Sequence, residues 1–214
     1  MNSDTKVIIG IGILTVAIVA TILIFGSMSD VPNIAAKTIE TGKLIEDNSE
    51  KSGPTDAKAT IVEFGDFQCP ACGVFHPILK KLLSDYSGKI QFVFRHFPLS
   101  IHANAQLAAR AAEAAGTQGK FLEMHDLLYE HQGEWSLQLK PEGVFTKYAR
   151  DLGLDALKFQ KDLKSAELAD KIALDMGDGN ALNVDATPTI YINGEKLDNP
   201  TDQVMRSKID EALK

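Results

Sequence analysis

The chain has 214 residues, of which 44% are hydrophobic, 24% charged and 7% aromatic, and its formal net charge is −7. This balance is that of a globular protein, so wholesale disorder, collagen and coiled coil are excluded, and the acidic charge opposes binding to nucleic acid. Two cysteines, Cys69 and Cys72, are too few for a disulfide-rich scaffold or a four-cysteine zinc site.

The first element is an uncharged apolar run, VIIGIGILTVAIVATILIF, at residues 7–25. As a helix it would rise about 28 Å, close to the hydrocarbon core of about 30 Å in a bilayer. The alternatives are a buried helix and a cleaved signal peptide, whose apolar region is usually shorter, at about 7–15 residues. We expect residues 1–26 to form a single N-terminal transmembrane helix that stays uncleaved and holds the protein at a cell membrane.

Residues 27–53 are mostly polar and small and show no sustained periodicity. This composition predicts a flexible linker between the membrane and a folded domain over residues 54–214. A short helix within residues 34–44 is an alternative to a fully flexible linker. Lysines flank the apolar run on both sides, so the positive-inside rule barely decides its orientation.

The folded domain is expected to begin with a buried β-branched strand at residues 59–64. An amphipathic helix follows at 71–84, and Pro77 inside it should bend it. A second strand is predicted at 91–96, and residues 103–182 have a helical pattern. Breaks in that helical block, with Asp155 and Ser165 as N-caps, are expected at Gly116, 133–141, Gly153 and Ser165.

The β pattern returns in a hairpin over residues 189–197, which turns at Asn193 and Gly194. A last helix should begin with Asn199 as its cap and Pro200 at its first position. The order of elements predicts an α/β fold, a sheet covered by helices, with a helical subdomain inserted at about 100–183.

Cys69 and Cys72 flank Pro70 and Ala71 between the first strand and the helix that follows it. A thiol at a helix N-terminus lies near unpaired N–H groups and the positive end of the helix dipole, and both favour the nucleophilic thiolate. We expect Cys69 to be the exposed attacking thiol and Cys72 the buried resolving thiol of a redox site.

Three other uses of the cysteines are less favoured. A structural disulfide would close a very short loop, worth only about 2 kcal/mol. A metal site could add His76 but has no evident fourth ligand, and haem attachment would need histidine where Gly73 stands. The remaining histidines are scattered along the sequence, which argues against a metal cluster: His96, His102, His125 and His131. No metal and no organic cofactor are expected.

Glu63 lies six residues before Cys69 in the middle of the predicted strand. A partly buried carboxylate has a raised pKa, so Glu63 could accept the proton of Cys72, or it could be an exposed edge residue. The dipeptide Thr187-Pro188 opens the third strand, where proline is tolerated at first positions. Trp135 is expected to pack inside the helical subdomain.

Several stretches form a specific set: IVEF at 61–64, DFQCPAC at 66–72, FRHFPL at 94–99, GKF and MHD at 119–126, and TPT with ING at 187–194. Together they resemble the DsbA-like, disulfide-bond-forming family of the thioredoxin superfamily, over about residues 54–213. About 115 residues separate Cys72 from Pro188, which fits the helical insertion of that family.

The resemblance implies a thioredoxin fold with an inserted helical subdomain. It further implies that Pro188 is a cis-proline facing the disulfide, that the backbone of Thr187 and Pro188 pairs with substrate peptide, and that Glu63 is the buried acid. Strongly oxidising members carry a histidine between the cysteines, whereas this chain has Pro70-Ala71. We therefore expect the pKa of Cys69 to lie below about 8.5 but to be less depressed than in those members.

The expected function is thiol-disulfide exchange between a Cys69–Cys72 bridge and exported protein substrates, through a mixed disulfide, most simply as a disulfide-forming oxidase. The catalytic domain would lie on the extracytoplasmic side of a single membrane span, and a quinone-linked membrane oxidase would re-oxidise it, as the resemblance implies. The alternatives are a reductase or isomerase fed by a membrane electron donor, and a non-catalytic thioredoxin-fold binding module.

Overall fold

The computed structural model describes residue 39 and residues 44–214. The predicted transmembrane helix at 7–25 and most of the predicted linker lie outside the described residues. Within the part of the chain that is described, no helix is both long enough and apolar enough to cross a bilayer.

The described residues form one mixed sheet whose strand order is β1-β3-β2-β4-β5. The strands are β1 Glu50–Ser52, β2 Ala59–Gly65, β3 Ile90–His96, β4 Thr189–Ile192 and β5 Glu195–Lys196. The helices are α1 Pro70–Asp85, α2 Ala105–Gly116, α3 Phe121–Glu130, α4 Gln132–Trp135, α5 Glu142–Asp151, α6 Ala156–Asp162, α7 Ala166–Ala181 and α8 Asp202–Ala212. The predicted order of strand, helix, strand, helical block, hairpin and helix is confirmed.

The centre of the sheet is formed by β2 and β3, which run parallel, and by β4, which runs antiparallel to β2. Every residue of β2, β3 and β4 is buried. Strands that are covered on both faces have near-continuous apolar sequences, as in the β2 segment ATIVEFG. The position of Glu63 in β2, opposite Phe94 of β3 and Ile190 of β4, therefore places a carboxyl group inside the protein.

Helices α2 to α7 form the insertion between β3 and β4, as predicted. Trp135 lies at its centre, fully buried, with its ring 5.2 Å from that of Phe145 and its Nε1 donating to the carbonyl of Leu128 at 3.0 Å. The prediction that Trp135 packs within the subdomain is confirmed. Asp155 and Ser165 are the N-cap residues of α6 and α7, also as predicted.

The N-terminal boundary of the fold differs from the prediction. Residues 50–52 were assigned to the linker, but they form β1, which pairs antiparallel with β3 and sets Glu50 opposite Phe94. Leu44 is also fully buried. A three-residue edge strand is held by backbone hydrogen bonds and gives no periodic apolar signal, so the sequence pattern could not reveal it.

The start of the last helix also differs from the prediction. Asn199 is not its cap; α8 begins at Asp202, and the N-cap is Thr201, whose hydroxyl accepts a hydrogen bond from the N–H of Val204 at 3.3 Å. Threonine and asparagine are both good caps, and the sequence offers both within three residues. The hairpin turn is as predicted, because Asn193 and Gly194 have φ angles of 47° and 85°.

Candidate active site

Cys69 is the N-cap residue of α1, and Pro70 occupies the first turn. The amide of Cys69 donates to the carbonyl of Asp66 at 3.0 Å, and its carbonyl accepts from the amide of Gly73 at 3.1 Å. Both cysteines are free thiols. The loop between β2 and α1 therefore holds the Cys69 sulfur at the helix N-terminus, while Cys72 lies one turn into the helix.

Cys69 is less exposed than predicted. It retains 7% exposure and Cys72 retains none, so the expected order of access is correct, but the attacking thiol is largely covered. The cover comes from the loop before β4, where the Cys69 thiol donates to the carbonyl of Thr187 at 3.3 Å. The peptide bond between Thr187 and Pro188 is cis, as the resemblance implies.

The two sulfurs have opposite acidities. A hydrogen bond from the Cys72 thiol is the largest cause that lowers the pKa of Cys69, which falls to about 5; burial opposes it, and contacts with Thr187 and with the amides of Cys72 and Ala71 assist it. Burial raises the pKa of Cys72 far above its ordinary value, and the neighbouring Cys69 and Glu63 raise it further. The direction predicted for Cys69 is thus reproduced, and the hydrogen bond from Cys72 is the largest cause of the lowered pKa.

Glu63 is buried, with 1% exposure, and burial raises its pKa to about 8. Its Oε2 has no hydrogen-bond partner among the described residues. The alternative of an edge-exposed glutamate is therefore wrong. A carboxyl group with this pKa is mostly protonated at neutral pH. When it is ionised, its negative charge raises the pKa of the neighbouring Cys72 thiol.

Two residues of the insertion reach the site, and the sequence analysis missed both. The side-chain amide of Gln132 donates to the carbonyls of Phe67 at 2.7 Å and Cys69 at 2.9 Å. Tyr129 is buried, and burial raises its pKa well above 10, with further contributions from Cys72 and Glu63. Both residues lie about 60 positions from the cysteines, and no local motif connects them with the site.

Asp66 fixes the loop that precedes Cys69. One carboxylate oxygen accepts from the amide of Gln68 at 2.8 Å. The other accepts from the amide of Leu99 at 2.9 Å and lies 2.6 Å from Nδ1 of His102. Asp66 thus ties the active-site loop to the segment after β3, which is a role that the sequence analysis did not assign.

The histidines do not all stay apart as predicted. His76 of α1 and His125 of α3 lie with their ring centroids 5.3 Å apart and next to Asp126. Burial is the largest cause that lowers the pKa of His76, to about 4, and it also lowers the pKa of His125. The expectation of scattered, separate histidines is therefore wrong for this pair, because α1 and α3 pack against each other across the fold.

Comparisons with known proteins identify the family of this chain. The family model described as Thioredoxin matches residues 47–211. The probable disulfide bond formation protein D of Bacillus cereus is 34% identical over 169 residues, which are 76% of this chain and 77% of that protein. The chain therefore belongs to the thioredoxin family, and its resemblance to the disulfide-bond-forming branch is confirmed.

Among solved structures, that of oxidised BdbD from Bacillus subtilis superimposes with a TM-score of 0.70 and 27% identity, covering 77% of this chain and 92% of BdbD. A different kind of relative is the Na⁺/H⁺ antiporter NhaA 1 of Salinispora arenicola, which is 44% identical over 151 residues. Those residues are 70% of this chain but 22% of the antiporter, so the chain spans about a fifth of that relative's length.

Proposed function

We propose that the protein is a thiol-disulfide oxidoreductase that introduces disulfides into exported proteins. The observation that carries the proposal is the difference in pKa between the two thiols. The pKa of Cys69 is lowered to about 5, and that of Cys72 is raised. A stabilised Cys69 thiolate favours the reduced enzyme, and an enzyme whose reduced form is favoured is an oxidant towards its substrates. The similarity to the probable disulfide bond formation protein D of Bacillus cereus supports the same direction.

The reaction begins from the Cys69–Cys72 disulfide. A substrate thiolate attacks the Cys69 sulfur, so that a mixed disulfide forms, the Cys69–Cys72 bond breaks and its electron pair goes to Cys72. Cys72 has a raised pKa and takes up a proton, which the neighbouring protonated Glu63 would donate. A second substrate thiolate then attacks the substrate sulfur of the mixed disulfide and releases Cys69 as a thiolate, a good leaving group.

Thr187 and Pro188 supply the substrate-binding edge in this proposal. The carbonyl of Thr187 lies 3.3 Å from the Cys69 sulfur in the dithiol form, so a peptide bonded to Cys69 would run beside this backbone. An extended peptide can pair with such an edge through main-chain hydrogen bonds, with little dependence on its side chains. That mode suits an enzyme that acts on many exported proteins.

The surroundings of the domain complete the proposal. Residues 7–25 would anchor the chain in a cell membrane as a single span, with the catalytic domain outside the cytoplasm. A quinone-linked membrane oxidase would accept the two electrons from the reduced cysteines. This topology is tested by treating intact cells first with a membrane-impermeant reductant and then with a membrane-impermeant thiol reagent, which should label Cys69 without lysis.

The direction of exchange is tested by the reduction potential of the purified full-length chain in glutathione buffers. A value near about −120 mV supports the oxidase, and a value near about −270 mV would instead assign a reductase. The thiolate of Cys69 is followed by its absorbance in the ultraviolet, which should titrate with a midpoint of about 5. A midpoint at or above about 8.5 would contradict the proposed leaving-group role.

Trapping distinguishes an enzyme from a binding module. The Cys72→Ala variant should accumulate mixed disulfides with exported proteins, because the resolving thiol is gone and Cys69 remains reactive. Cys69→Ala is the matched control and should trap none. Equal, empty results for both variants, with client binding preserved, would favour the non-catalytic module.

A further inference from the structure

Two adjacent buried histidines outside the thiol chemistry have ring nitrogens without hydrogen-bond partners among the described residues. His76 is 4% exposed, and neither of its ring nitrogens has a partner among the described residues. His125 is 3% exposed, and its Nε2 likewise has none in the described chain. Buried polar atoms are nearly always paired, so unpaired nitrogens on two adjacent rings point to a further partner, and the unprotonated nitrogen of a neutral imidazole can bind a metal ion.

Carboxylate oxygens lie at metal-ligand spacing from these rings. Oδ1 of Asp126 is 3.1 Å from Nδ1 of His125 and 3.6 Å from Nε2 of His76, and Oε1 of Glu130 is 4.0 Å from the same Nε2. In a tetrahedral zinc site with bonds of about 2.0–2.2 Å, neighbouring ligand atoms are about 3.3–3.6 Å apart. The ligand atoms of His76, His125 and Asp126 all lie within 4.8 Å of one another, so side-chain rotation can bring them onto one ion.

The cluster is accessible from outside. It forms one side of a cavity of about 170 Å³, and Asp126 retains 31% side-chain exposure. Apart from Lys80, the rest of the cavity lining is apolar, so the histidine nitrogens and the carboxylate oxygens are its atoms that can bind a cation. The apolar lining residues are Leu79, Leu83, Phe92 and Leu122.

A lysine already contacts the same carboxylates. The ammonium of Lys80 lies 2.7 Å from Oδ2 of Asp126 and 2.7 Å from Oε1 of Glu130. It leaves Oδ1 of Asp126 facing the histidines, so an ion can bind there while Lys80 stays on Oδ2. The charge of Lys80 opposes a second cation. Glu130 must give up its ion pair with Lys80 to become a ligand of the metal ion.

We propose that His76, His125 and Asp126 bind one divalent cation of the zinc class, with Glu130 as the fourth ligand. Two imidazoles and carboxylate oxygens are a ligand set that zinc and its first-row neighbours prefer over calcium or magnesium. The ion would join α1 to α3 one helical turn beyond Cys72. This site is separate from the thiol chemistry and does not depend on the proposed function.

The test is calorimetric titration of the full-length chain with zinc chloride, with the Cys69–Cys72 disulfide intact so that neither sulfur can bind zinc. We expect one ion per chain. His76→Ala should weaken binding by more than about tenfold, since even the outer partners of metal ligands are worth about 10–100-fold. Lys80→Gln should tighten binding, because it removes the competing charge at a half-exposed position.

His131→Gln is the matched control. His131 lies on the surface beside Glu134, and its loss should leave zinc binding unchanged. If His76→Ala fails to fold, Asp126→Asn tests the same ion at a partly exposed ligand and should also weaken it by more than about tenfold. Absence of saturable binding, loss of binding in His131→Gln, or no tightening in Lys80→Gln would overturn the proposal.

Discussion

Two buried polar regions lie on the same sheet and are built in opposite ways. At the end of β2 next to the cysteines, Oε2 of Glu63 and the hydroxyls of Tyr129 and Thr187 have no hydrogen-bond partner within the described residues. On the neighbouring strand, the fully buried Arg95 donates to Asp175 at 2.6 Å and also contacts Asp178. The first region contains polar groups without partners, and in the second each cation meets a carboxylate.

The pairing in the second region continues across the sheet edge. Lys171 of α7 lies 2.6 Å from Glu50 of β1 and 2.7 Å from Glu113 of α2, and Glu113 lies 2.8 Å from Nε2 of His96. These ion pairs connect the insertion and the first strand to the central sheet. Paired charges thus connect the elements of the fold, whereas the unpaired polar groups beside the cysteines remain available to a proton or a substrate.

The largest expected effect comes from breaking the paired region. Arg95→Met should lower the free energy of unfolding by about 3–5 kcal/mol, because it leaves the buried Asp175 without its cation. Urea denaturation measures the change. Arg206→Met is the control, since Arg206 pairs with Asp202 and Asp85 at the surface and should be worth about 1 kcal/mol or less. Equal losses of unfolding free energy in the two variants would contradict the distinction between buried ion pairs and surface ion pairs.

Substitution in the region without hydrogen-bond partners should raise the free energy of unfolding instead of lowering it. The pKa of Glu63 is raised to about 8 in the folded protein, so the folded state holds a proton that the unfolded state releases, and stability falls as pH rises from about 4.5 to 8. Glu63→Gln removes this loss and should stabilise the protein by about 3 kcal/mol at pH 7. The gain should vanish below about pH 4.5, and urea denaturation across this pH range measures it.

Glu113→Gln is the matched control for Glu63→Gln, because Glu113 is an equally buried carboxylate in the paired region. Burial acts to raise its pKa, but His96 and Lys171 outweigh burial and lower the pKa below its ordinary value. Stability from this group is present at neutral pH and is lost as pH falls through the folded pKa. Glu113→Gln should therefore destabilise the protein at pH 7. If both Glu63→Gln and Glu113→Gln stabilised it, the contrast between the two regions would be wrong.

A helix cap gives a smaller effect within the insertion. The carboxylate of Asp155 accepts hydrogen bonds from the amides of Leu157 at 2.8 Å and Lys158 at 3.0 Å. Asp155→Ala should lower the free energy of unfolding by about 1 kcal/mol in thermal or urea melts. Ser165→Ala is its control, since the Ser165 side chain makes no cap hydrogen bond in the described structure, and it should change stability by less.

The smallest effect is expected at Tyr129. Its hydroxyl is buried and lacks a partner in the described residues, so Tyr129→Phe removes a polar atom without breaking a hydrogen bond. The free energy of unfolding should change by less than about 1 kcal/mol, and any change should be a gain. A loss larger than that of Asp155→Ala would show that the hydroxyl is paired after all.

The sequence predicted those parts of the site that lie within one strand-loop-helix segment. Glu63 lies in β2, Cys69 in the loop after it and Cys72 in α1. A continuous apolar strand, followed by a cysteine pair before an amphipathic helix, can be recognised from the sequence alone. The residues that reach the site from the insertion were not predictable. Gln132 contacts Cys69 from 63 positions away, and nothing in its neighbours marks it.

Other differences have the same origin. The pairing of Arg95 with Asp175, and of His76 with His125, follows from which helix packs on which strand, and that is decided by the whole core. The strand Glu50–Ser52 exists because β3 offers it an open edge. The cap of α8 is Thr201 instead of Asn199, and both are good capping residues, so local preference could not choose between them.

The main chain of Cys69 has one further consequence. Its N–H is bonded to the carbonyl of Asp66, and both lone pairs of its own carbonyl are occupied, by the amide of Gly73 and by Gln132. The backbone at this residue therefore has no group left to rearrange. We therefore expect the disulfide to open and close mainly by rotation about side-chain bonds, with little change in the backbone path of the loop.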